Sequence, residues 1–69
     1  MAAYEFYLGR LSACPLYGFK SGHEILHIII RCAIRDKRLT EHQFNTIINR
    51  AWECHIKMLE DNYNEEWNR

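Results

Sequence analysis

The sequence predicts an all-α fold: a small three-helix, bundle-like single domain spanning residues 1–69, with a long C-terminal helix. Three observations carry this prediction. Apolar residues recur at three- and four-residue spacing along most of the chain. Two S/T-x-x-E/Q tetrads, Ser21-Gly22-His23-Glu24 and Thr40-Glu41-His42-Gln43, have the form of helix-opening capping boxes. No glycine or proline follows Gly22, so the third helix, after a short turn from Lys37 to Thr40, could run past residue 60.

The first helix is expected over residues 3–13, where Tyr4, Tyr7, Leu8 and Leu11 follow the i, i+3, i+4, i+7 pattern. The aromatic run Tyr4, Phe6, Tyr7 would also suit a strand, and Gly9 weakens the helix by about 1 kcal/mol. The segment "ACPLYGFKSG" holds Pro15, Gly18 and Gly22 and reads as a structured loop, with Leu16, Tyr17 and Phe19 expected to pack onto the core.

The second helix is expected over residues 22–36, opened by Ser21 as cap with Glu24 closing the box. Ile25, Leu26, Ile28, Ile29, Ile30, Cys32, Ala33 and Ile34 cover most of its circumference, leaving Glu24, His27, Arg31 and Arg35 as the polar stripe. A helix so apolar calls for cover on more than one side. The third helix is expected over residues 41–64. Phe44, Ile47, Ile48, Ala51, His55, Met58 and Leu59 form one stripe; Trp52, Ile56, Leu59, Tyr63 and Trp67 form its neighbour.

A chain of 69 residues buries only about 60% of the surface its unfolded form exposes. A deep catalytic cleft is hard to carve from so little interior, and no enzyme is expected. Nine Lys and Arg balance nine Asp and Glu, which argues against a generic nucleic-acid binder. The charge is unevenly placed: residues 31–50 sum to +3 and residues 51–69 to −3. Cys14, Cys32 and Cys54 form no even framework, so reduced, mostly buried thiols and a cytoplasmic location are expected. The start "MAAYEFYLGR" lacks the pattern of a signal peptide, and no apolar run is long enough to span a bilayer.

"GHEILHIII" contains H-E-x-x-H, the pattern in which two histidines one helical turn apart chelate zinc and the glutamate acts as base. His23 and His27 would be the ligands, with His42, Cys54, His55 or Glu60 as a third. Three arguments weigh against it. Glu24 is accounted for by the capping box, His23 falls in a fraying first turn, and a peptidase needs a cleft. The expectation is therefore no metal and no cofactor, with His23 and His27 as the alternative. His55, between Ala51 and Leu59 on the apolar stripe, reads as a core-edge histidine held by a neighbour.

Arg31, Arg35, Lys37 and Arg38 cluster about the turn between the second and third helices. They are the candidate contacts for nucleic acid, the second choice of function. Cations at a helix C-terminus also complement its dipole with no ligand. The leading expectation is a small protein-binding module, an inhibitor or adaptor of the kind carried by phages and other mobile elements. It would occupy another protein's surface, or pair with itself as a homodimer, through Trp52, Ile56, Leu59, Tyr63 and Trp67.

Overall fold

The computed structural model describes residues 2–67, with side chains through Glu65. Its elements are α1 (Ala3–Ala13), a 3-10 turn (Cys14–Tyr17), α2 (Phe19–Arg35) and α3 (Glu41–Trp67). The fold is all-α, as the periodicity predicts. α1 buries Tyr7 and Leu11 and half-buries Tyr4 and Leu8, the four residues of its apolar stripe. Glu5 in its first turn and Arg10 in its last suit the helix dipole.

The start of α2 departs from expectation. The helix begins at Phe19, not at 22, and ends at Arg35. Ser21 is its third residue, so the Ser21–Glu24 tetrad caps nothing, and no side chain caps this helix. Gly18 decides the boundary. Its φ of 89° and ψ of 177° lie where residues with a Cβ are strained. That conformation ends the 3-10 turn and reverses the chain, and the Gly22 amide then donates to the Gly18 carbonyl at 2.9 Å, closing the first turn of α2. The reversal also sends Leu16, Tyr17 and Phe19 outward. Leu16 keeps 86% of its surface exposed; Cys14 takes the inward position instead and is fully buried.

The second capping box forms as predicted. The Gln43 amide donates to Thr40 Oγ1 at 3.1 Å, and the Thr40 amide donates to Gln43 Oε1 at 3.1 Å. α3 then runs three residues beyond the expected end, to Trp67.

The core line of α2 is Gly22, Leu26, Ile29 and Ala33. That of α3 is Ile47, Ala51 and Met58, with Phe44 and Cys54 half-buried beside it. Gly22 packs so tightly that a Cβ there would lie 2.7 Å from the Cys14 carbonyl oxygen and 2.6 Å from Met58 Sδ. At the other end, the Asp36 carboxylate accepts the Tyr7 hydroxyl at 2.8 Å and the Arg38 side chain at 2.7 and 2.9 Å. It also accepts the Arg38 amide at 2.9 Å. Tyr7 thus meets the end of α2 while Cys14 meets its beginning, so α1 and α2 run antiparallel. The short turn reverses the chain again into α3. At 1.5 Å per residue α1, α2 and α3 span about 16, 26 and 40 Å, and the described molecule measures 45 × 18 × 17 Å.

Two predictions follow from these contacts. Gly22→Ala should destabilise the protein by about 1–3 kcal/mol in urea unfolding, although alanine is the better helix former. Thr40→Ala should cost about 0.5–2 kcal/mol while Ser21→Ala is nearly neutral; equal losses would contradict the boundary at Phe19.

The bonds to Asp36 make a pH prediction. Those from Arg38 first, then that from the Tyr7 hydroxyl, hold its carboxyl well below the usual carboxylate range. A depressed folded pKa stabilises above the unfolded value and loses its contribution as pH falls through the folded one. Stability should therefore decline below about pH 4. Asp36→Asn should flatten that limb in unfolding curves taken across the acid range.

Candidate functional site

Two surfaces of α3 carry the residues the sequence singles out. The first is the groove between α2 and α3, about 370 Å³, lined by His23, Leu26, His27, Ile30, Ile48, Ala51, Trp52 and His55. α2 projects His23 and His27 into it from one turn apart; α3 projects Trp52 and His55. His23 Nδ1–H donates to the Phe19 carbonyl at 2.7 Å, because a carbonyl can only accept. Its Nε2 and His55 Nδ1 share a hydrogen bond at 2.8 Å. Aromatic faces flank the pair. Phe19 lies 4.6 Å from the His23 ring centre, and Trp52 lies 5.5 Å from that of His55.

His55 is therefore the half-buried histidine held by a neighbour that its position on the stripe suggests. Of the four third-ligand candidates it is the one that meets His23. Cys54, next in sequence, points the other way and donates its thiol to the Leu11 carbonyl at 3.2 Å. Two of the arguments against a metal do not survive: Glu24 closes no capping box, and His23 is the fifth residue of α2 rather than part of its first turn. Among the described residues, no group of three or more His, Cys, Asp or Glu side chains is placed so that it could hold a metal ion.

The second surface is the outward face of α3. Trp52, Ile56, Leu59 and Tyr63 stand at i, i+4, i+7 and i+11 and are 64%, 36%, 40% and 59% exposed. The side chain of Trp67, the fifth residue of this predicted set, lies outside the described residues. A third apolar area lies on α2, the helix whose sequence is too apolar for two neighbours to cover. The uncovered side of α2 exposes Ile28 and Ile34, and Ile28 and Cys32 share a shallow hollow with Arg31 and Arg35. α2 is apolar nearly all round, and that was the available signal, but periodicity alone does not say which side is left open.

The basic residues about the turn do not act as one set. Arg38 is bound to Asp36 at 2.7 Å, which holds its guanidinium more firmly protonated than usual. Arg31, Arg35 and Lys37 are exposed. No helix among the described residues is long and apolar enough to cross a membrane.

Comparison of the chain with protein-family models, with curated proteins and with solved structures finds no match in any of the three. The reading of function therefore rests on these surfaces.

The three thiols are free, but they are not all buried as expected. Cys14 is buried, Cys54 half-buried and Cys32 exposed. Burial pushes the Cys14 and Cys54 thiols up, which lowers the reactive thiolate fraction. A thiol reagent should label Cys32 in the native protein well before Cys14 and Cys54, as read by mass spectrometry of the peptides. Equal rates at all three would contradict the packing of Cys14.

Proposed function

We propose that this protein is a partner-binding module, an inhibitor or adaptor that acts by laying α3 against another protein. In this reading it is not an enzyme, and it works in the cytoplasm, where its thiols stay reduced. The observation that carries it is the exposed row Trp52, Ile56, Leu59 and Tyr63. Helices that dock in apolar grooves present this spacing of anchors on one face. Tryptophan and tyrosine are also the residues that most often dominate binding energy.

A single exposed apolar residue has no special meaning, but a row along one helix face is the kind of contiguous patch that marks an interaction site. Glu53 and Glu60 border this row along one side. A partner groove with a basic rim would complement them.

The occupant is taken to be a different protein, and a second copy of this chain is the competing outcome. Light scattering from nanomolar to micromolar concentration separates the two. A constant monomer mass is expected; a dimer that Trp52→Ala and Tyr63→Ala dissociate would replace the heterologous partner with self-association. A photo-crosslinking side chain placed at position 56 then traps the partner in cells. Trp52→Ala or Tyr63→Ala, each checked for retained helicity, should weaken binding of the trapped protein by tenfold or more, a loss of about 1.4 kcal/mol or more. Equal affinity in both variants would overturn the assignment of this face.

A further inference from the structure

We propose that His23 and His55 form a proton-operated latch between α2 and α3, closed with at most one added proton and parted by the second. The inference goes beyond the partner-binding reading and does not depend on it. It starts from a count of ring nitrogens. The two imidazoles have four between them. His23 Nδ1 carries the proton donated to the Phe19 carbonyl at 2.7 Å. His23 Nε2 and His55 Nδ1 are 2.8 Å apart and share one proton, whichever ring holds it. His55 Nε2 is the one nitrogen left to bind another.

The folded pair therefore takes up one positive charge with its hydrogen bonds intact. A second would place an N–H on each side of the 2.8 Å gap and a charge on both rings. Neither nitrogen could then accept, and like charges at that range repel strongly where water is partly excluded. Water is partly excluded here: both histidines are half-buried, and the Phe19 and Trp52 rings lie 4.6 and 5.5 Å from His23 and His55. In the unfolded chain each imidazole takes up its own proton. In mild acid the folded state thus holds one proton fewer, and that difference is a loss of stability.

The neighbouring charges do not lift this restriction. α2 places Lys20 three residues before His23, while Glu24 and His27 border its outer side. Glu24 is exposed, where a carboxylate is well screened, and a histidine such as His27 gains positive charge over the same pH range. No charged side chain of α3 lines the groove. Glu53 and Lys57 stand two residues from His55, about 200° around the helix, and Asp61 and Glu65 share a hollow with Phe19 that includes neither histidine. α1 and the 3-10 turn contribute no residue to the groove. Parting the rings also takes His55 from beside Trp52, the residue that heads the outward row.

The test is urea unfolding of the full chain between about pH 7.5 and pH 5, where histidine changes charge. Because the unfolded state binds more protons, stability should fall as pH falls through this range. The Asp36 limb lies lower, below about pH 4, so Asp36→Asn should leave this decline in place, as should His27→Gln. His23→Gln and His55→Gln, each checked for retained helicity, should remove most of it. Nitrogen NMR of the native imidazoles reads the proton count without a substitution. His23 and His55 should gain charge in two separate steps, and the contact between their rings should disappear with the second. In His55→Gln, His23 should titrate in a single step. A pair that gains both charges in one step with its ring contact kept would overturn the proposal. So would stability that is flat across this range, or that declines equally in His55→Gln.

Discussion

The packing of this small protein turns on a single close approach. At Gly22 the backbone of α2 lies so near the Cys14 carbonyl and Met58 that no side chain fits between them. The 3-10 turn, α2 and α3 therefore meet at one point. The contact sets the rotation of α2 about its own axis. With Gly22 inward, Leu26, Ile29 and Ala33 follow it into the core, and Ile28 and Ile34 are left outside. It also turns His23 toward α3, where His55 meets it. The groove between the two helices, with its paired imidazoles, follows from a residue that has no side chain.

α3 is divided by the same packing. Two helices of 11 and 17 residues can cover only one side of a partner of 27. Ile47, Ala51 and Met58 take the covered side, while Trp52, Ile56, Leu59 and Tyr63 remain in contact with solvent. The opposite end of the molecule is closed by polar rather than apolar contact. The Asp36 carboxylate gathers the Tyr7 hydroxyl and the Arg38 guanidinium and amide. α1 is thereby tied at one end by Asp36 and at the other by the burial of Cys14.

The two α3 surfaces have different chemistry and suit different roles. The outward row is apolar, with Glu53 and Glu60 along one side. The groove carries paired ring nitrogens, with His23 also bound to the Phe19 carbonyl. Trp52 belongs to both, lining the groove and heading the outward row. A ligand in the groove would therefore be felt on the outward row through one side chain.

What the sequence determined by itself is what depends on neighbours within about one helical turn. The stripe Tyr4, Tyr7, Leu8, Leu11 placed α1 at Ala3–Ala13, and the Thr40–Gln43 box placed the start of α3, because both sides of each interaction lie three or four residues apart. The Ser21–Glu24 tetrad carried the same local signal and failed. Gly18, in a conformation that only the reversal of the chain required, let α2 begin at Phe19 and left Ser21 inside the helix. Cys32 and Cys14 are alike in sequence, yet one is exposed and the other buried. Leu16 is as apolar as Leu11, yet stands in solvent. The tertiary structure alone decided which half of α2 is covered and which of four candidate side chains meets His23. Periodicity says that a helix has an apolar face; only contact between residues distant in the chain, here 32 positions apart for His23 and His55, decides which part of that face another helix occupies.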